Sequence, residues 1–172
     1  MKKLLFLFLL ATASLTLTIQ AGFAQSKALS GISDESDYYK FASLVRGAKM
    51  DATLAALGTY TVFAPDNLIF RDMPSGKLDS LINDPAKLTT LIKAHIVKGK
   101  LTTNDIIKKL TLGKGKTTVI NLLGQPIILS RTADNKLLLT DVKGNQAHFL
   151  AFDMADPKSV VQGIDIILAT GK

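Results

Sequence analysis

The chain has 172 residues, a formal net charge of +7, a hydrophobic fraction of 47% and no cysteine. Without cysteine neither a disulfide nor a thiolate metal site is available, so the fold has to rest on packing alone. A length of this order suits one domain, which buries roughly 70% of the surface its unfolded chain exposes.

Lys2 and Lys3 precede an apolar stretch from Leu4 to Leu17, and Gly22-Phe23-Ala24 supplies a small-x-small cleavage site. This pattern predicts an export signal over residues 1–24, with an uncleaved anchor as the competing reading. The apolar stretch is short for a spanning helix, which needs roughly 20 residues. The expectation is a secreted or periplasmic protein with no membrane span after signal removal and no cysteine for lipid attachment. Residues 25–34 read as a flexible polar lead-in.

Ser33 or Asp34 is placed to cap a helix running to about Lys49, with Tyr38, Phe41, Leu44, Val45 and Ala48 on one face. Asp51 is placed to cap a second helix through Leu57, and Gly58 to stop it. The run Thr59-Tyr60-Thr61-Val62-Phe63-Ala64-Pro65-Asp66-Asn67-Leu68-Ile69-Phe70 then reads as a strand that ends at proline and turns at once into a helix capped by Asp66. Asp84-Pro85 starts the next helix, whose face is Leu88, Leu91, Ile92, His95 and Ile96 and whose end is predicted at Gly99. Thr103 is the expected cap of a short helix to about Leu110. After Gly113 the period becomes extended: residues 117–123, 125–131, 136–142 and 146–154 are β-rich, and Asp156-Pro157 precedes a last apolar strand, Val160 to Ala169. Helices first and antiparallel strands later make an α+β fold.

The block Thr61-Val62-Phe63-Ala64-Pro65-Asp66-Asn67 closely resembles the first signature of the fasciclin domain family. Leu91 to Gly99 resembles its central segment, Leu122 to Ile127 its leucine-glycine hairpin, and Ser159 to Leu168 its second signature block. The resemblance covers residues 35–170 and implies N-terminal helices packed on an antiparallel β-sandwich or wedge. Its structural signature falls on Thr61, Phe63, Pro65, Asp66, Asn67, His95 and Asp165. Three departures matter: Ala94 stands where the tyrosine of the family's tyrosine-histidine pair sits, Lys158-Ser159 replaces an asparagine-glycine turn, and Gln162 replaces a histidine. The fold inference survives them, because the aliphatic pattern is intact. Transfer of an integrin-type adhesion site does not.

His95 lies on the apolar stripe of its helix and reads as a core histidine, with its imidazole expected to meet the Asp66-Asn67 turn. His148 is distant in sequence, no H-x-x-x-H spacing exists, and no metal site is expected. Gly113-Lys114-Gly115-Lys116-Thr117 imitates the end of a phosphate loop but follows a helix and precedes a strand, the reverse of what phosphate binding requires. No G-x-S-x-G elbow is present, and the acid pairs Asp34-Glu35 and Asp153-Asp156 read as caps and turns. No catalysis and no cofactor are expected.

From Lys93 to Lys116 there are seven lysines against one acid, Asp105. The bland reading is a solvated face. The sharper one is capture of an anionic polysaccharide or lipid head group through Lys98, Lys100, Lys108, Lys109, Lys114 and Lys116, since lysine acts as a point charge without strict geometry. Nucleic acid fits less well, because no aromatics are interleaved with these lysines. The resemblance thus implies a non-enzymatic extracellular adhesion module that binds a cell-surface or matrix macromolecule. The alternative is a carrier of a lipid or carotenoid, which needs an apolar pocket of roughly 300 Å3 or more.

Overall fold

Tyr60–Pro65 forms strand β1, and every one of its residues is buried. Alternation of side chains across a strand explains how both faces are used. Val62 and Ala64 join a core shared with the helices, whereas Phe63 joins a second core inside the sheet. The computed structural model describes residues 29–74, 76–156 and 158–171. The predicted export signal and residues 25–28 of the lead-in lie outside the described residues.

The other strands are β2 (Ile96–Lys98), β3 (Lys116–Ile120), β4 (Pro126–Arg131), β5 (Leu137–Thr140), β6 (Gln146–Ala155) and β7 (Ser159–Ile164). They form one seven-stranded sheet in the order β2-β1-β7-β6-β5-β4-β3. All pairings are antiparallel except β1 with β7, which run parallel with Tyr60 opposite Ser159 and Pro65 opposite Ile164. Parallel pairs survive where both faces are covered, and β7 is buried along its whole length as β1 is. The two sheet edges meet through a bridge between Val97 and Asn121, which nearly closes the sheet. Asn121 secures that closure: its Nδ2 donates to the carbonyl of Ala94, and its Oδ1 accepts from the amides of Leu123 and Gln125.

Helices α1 (Tyr39–Gly47), α2 (Asp51–Ala56), α3 (Asn67–Arg71), α4 (Lys77–Ile82) and α5 (Pro85–Ala94) belong with the first core, where Phe41, Val45, Leu54, Phe70 and Ile92 meet Val62 and Val161. Helix α6 (Thr103–Leu112) sends Ile106 and Leu110 into the second core, beside Phe63, Ile127, Leu129 and Leu139. The architecture is α+β.

Local starts follow side-chain chemistry closely. Asp66 accepts from the amide of Leu68, and Asp84 from those of Ala86 and Lys87, with Pro85 at the first helical position. Such caps contribute about 1 kcal/mol each. Elsewhere the chain departs from the sequence reading. The helix expected from residue 33 or 34 starts at Tyr39, because Ser33 and Ser36 form a turn first. Asp51 is the first helical residue and Met50 the N-cap, so the acid acts through the helix dipole rather than as the cap residue. The cap of α6 is Thr102, one residue early, since Asp105 three residues on completes a capping box with it. Helix α5 stops at Ala94 instead of Gly99, and β-branched Ile96 and Val97 pair with Val62 and Thr61. Strand β7 stops at Ile164 instead of Ala169.

What holds residues after β7 is a buried polar pair. His95 is fully buried; its Nδ1 donates to the carbonyl of Leu91 at 2.8 Å, and its Nε2 accepts from the amide of Leu168 at 2.9 Å. The partners dictate the neutral Nδ1–H tautomer, because a carbonyl can only accept and an amide can only donate. Both nitrogens are therefore taken, and the expected contact with the Asp66-Asn67 turn does not form. The peptide units of Leu91 and Leu168 offered complementary groups nearer by. Asp141 Oδ2 accepts from the amide of Ala169 at 2.8 Å, and its carboxylate also takes Asn145 Nδ2 and the amides of Lys143 and Asn145. Burial opposes the charge of Asp141, but these donors outweigh it and hold its pKa below the ordinary value.

Two outcomes can be measured. Gly163 lies against Tyr38, whose ring and hydroxyl would overlap any added Cβ. Tyr38 is itself buried, so Gly163→Ala is expected to cost about 2–3 kcal/mol by overpacking, read from the urea midpoint. For His95, burial pushes the pKa down to about 4, against smaller raising contributions from the Leu91 carbonyl and Asp141. The unfolded chain then binds more protons than the folded one as pH falls from about 6.5 towards 4. Stability is full above that window and declines through it by about 3 kcal/mol. Unfolding free energies at pH 7, 5.5 and 4.5 should trace this decline, and His95→Gln should lower stability at pH 7 while flattening the slope.

Candidate interaction surfaces

The residues of the signature blocks are buried or half-buried and knit elements together. Thr61 Oγ1 donates to the carbonyl of Gly99 and accepts from the amide of Leu101, which fixes the turn after β2. Phe63 packs edge-on against Phe149, with ring centroids 6.1 Å apart. Pro65 ends β1, and the next amide, of Asp66, still reaches the carbonyl of Ile164. Asn67 ties the start of α1: Oδ1 accepts from the amide of Lys40, and Nδ2 donates to the carbonyl of Ser36. Asp165 accepts from both the amide and Nδ1 of His148, clamping β6 to the end of β7. These residues set the scaffold; their contacts are with the protein itself.

The six lysines of the basic segment are all exposed. Lys98 lies at the end of β2, Lys108 and Lys109 on α6, Lys116 at the start of β3, and Lys100 and Lys114 in the adjoining turns. Helix α6 packs on β3, and β3 meets β2 where the sheet closes, so the elements that carry the six are neighbours. None of the six forms an ion pair among the described residues. Asp105 lies near Lys108 and Lys109, but its pKa is lowered first by its hydrogen bonds with Thr102 and only then by the two lysines. The Gly113–Lys116 segment is a tight turn from helix to strand, in which a Cβ on Gly113 would collide with the carbonyl of Lys116. A phosphate loop needs the opposite order, with amides open at a helix start.

Among the described residues, one concavity opens beside β6 and another between helices α4 and α5. A cleft of about 380 Å3 is bordered by Thr103, Ile107, Arg131, His148, Phe149 and Phe152. Phe152 stacks on Phe149 with centroids 5.8 Å apart and is 49% exposed. It faces outward with Leu150 by the alternation of the strand, and a bulge in β6 lies next to it. There Asp153 adopts a positive φ of 52°, unusual for a residue with a side chain. Gln162, fully buried, holds that bulge: its Nε2 donates to Asp153 Oδ1 and to the carbonyl of Leu101, and its Oε1 accepts from the amide of Asp153. The second concavity, of about 670 Å3, lies between α4, α5 and residues 167–170. Sequence reading missed both. Period 2 in β6 conceals a bulge, and α4 is only six residues long and buries none of them fully, so its short stripe of Leu78, Leu81 and Ile82 gave little signal.

Among the described residues, no cluster of three or more potential ligands fit for a metal ion occurs, and no helix is long and apolar enough to cross a membrane.

Comparison with known proteins agrees with this geometry. The sequence profile of the Fasciclin domain matches residues 36–170. Protein sll1483 of the cyanobacterium Synechocystis is 29% identical over 126 residues, covering 72% of this chain and 62% of that protein. The transforming growth factor-beta-induced protein ig-h3 of Sus scrofa is 27% identical over 106 residues, 56% of this chain but 16% of the pig protein. The chain thus spans about three fifths of the length of the first relative and a small part of the second. Among solved structures, a FAS1 domain pair from the insect cell adhesion molecule Fasciclin I superposes with a TM-score of 0.62 at 18% identity, over 79% of this chain and 46% of that one. With the profile match spanning most of the chain and both signature blocks paired in the sheet, this chain belongs to the fasciclin domain family.

Proposed function

We propose that this domain is a non-enzymatic, extracellular interaction module that holds an acidic polysaccharide of the cell surface or matrix through its basic region. The observation that carries the reading is the set of six exposed lysines on β2, α6, β3 and their turns, with no carboxylate paired to any of them among the described residues. Unpaired lysines attract a flexible polyanion without needing exact geometry, and their summed field speeds encounter. The family supports an adhesive role, and the basic-apolar start of the chain supports secretion or a periplasmic location. The departure at Ala94 separates this role from the tyrosine-histidine adhesion site of animal members.

Binding to an immobilised acidic polysaccharide is expected to weaken as salt rises, because screening shortens the reach of surface charge. Changing Lys108, Lys109, Lys114 and Lys116 together to Gln should weaken it about ten-fold, at a few tenths of a kcal/mol for each exposed contact. Surface plasmon resonance at two salt concentrations measures both effects. Salt-insensitive binding, or binding only to vesicles of anionic lipid, would refute the polysaccharide reading.

A further inference from the structure

The groove between α4, α5 and residues 167–170 is built differently from the basic region. Its wall is largely apolar, with Met73, Leu81, Leu91, Ile167 and Leu168 along it. Its volume of about 670 Å3 falls within the range of roughly 300–1,000 Å3 typical of small-ligand sites. Three lysines also line it: Lys77 from the start of α4, Lys87 from α5 and Lys143 from the turn between β5 and β6. Lys87 is paired with Asp84 at 2.9 Å, which leaves Lys77 and Lys143 without an ion-pair partner among the described residues. Among the described residues, no acidic side chain lines the groove.

The geometry points to a binding site for a free long-chain carboxylic acid, with the alkyl chain on the apolar wall and the carboxylate against Lys77 and Lys143. An apolar wall with uncompensated cations suits an anion that carries hydrocarbon. A neutral hydrocarbon leaves the lysines unused, and a polysaccharide cannot use the wall. The site is also preformed. One side is the Leu168-Ala169 segment, whose amides are fixed by His95 and Asp141, so little ordering is needed on binding. This site is separate from the lysines of α6 and β3 and does not rest on their role.

The test is fluorescence titration of the purified, delipidated full chain with cis-parinaric acid, followed by displacement with dodecanoate, hexadecanoate and hexadecanol. Saturable one-to-one binding is expected, with hexadecanoate displacing the probe at least several-fold better than dodecanoate, since each buried methylene adds to the transfer free energy. Hexadecanol should compete at least five-fold less well than the acid. Lys77→Gln with Lys143→Gln should weaken the acid about five-fold and leave the alcohol unchanged. Ala86→Trp, at an exposed position lining the groove, should abolish binding of both with the thermal midpoint preserved. Quadruple replacement of Lys108, Lys109, Lys114 and Lys116 by Gln should leave acid binding intact. Absence of saturable binding overturns the proposal. So does equal competition by acid and alcohol, indifference to the Lys77/Lys143 pair, or loss of binding in the quadruple variant alone.

Discussion

The parallel pairing of β1 with β7 is the constraint from which the rest of the structure follows. Two strands nearly a hundred residues apart lie side by side within the sheet, each buried throughout. Such a pair is stable only if both faces are covered. On one face lie the helices of the first core, on the other the interior of the nearly closed sheet with α6 across its opening. Tyr38 crosses β7 at Gly163, a contact that depends on the missing side chain there. The two cores are therefore parts of one body, joined through the alternating residues of β1.

Much of this arrangement was legible in the residues, and where it was not the reason is physical. The ends of β1 and the starts of α3 and α5 were readable because Pro65, Asp66, Asp84 and Pro85 act on the backbone within one turn. The exit from α5 was not, because Ile96 continues the apolar stripe of the helix and Val97 does not by itself break it. Their extended state is decided by pairing with Val62 and Thr61, a long-range demand. The parallel sense of β1 and β7 is equally invisible locally. His95 was rightly placed in the core, yet its partners come from Leu91 and Leu168, which periodicity cannot reveal.

The candidate surfaces divide along the same line. The lysines could be counted in the sequence, and the fold gathers their elements at the closure of the sheet. The groove could not, since Lys77, Lys143 and Ile167 come from three separate stretches and α4 has no fully buried residue. Gln162 is a further case, because its partners Asp153 and Leu101 come from separate stretches and its hold on the bulge in β6 cannot be read from the residue itself.

The sequence position of β7 carries a kinetic consequence. The strand between β1 and β6 comes after both of them in chain order, and until it is in place β1 and β6 have no neighbour on that side. Assembly cannot proceed outward from a finished N-terminal half; it awaits one late insertion. Contacts so distant along the chain make for slow maturation and leave raw strand margins exposed meanwhile. Until then β1 and β6 each keep one row of backbone groups open to a wrong partner.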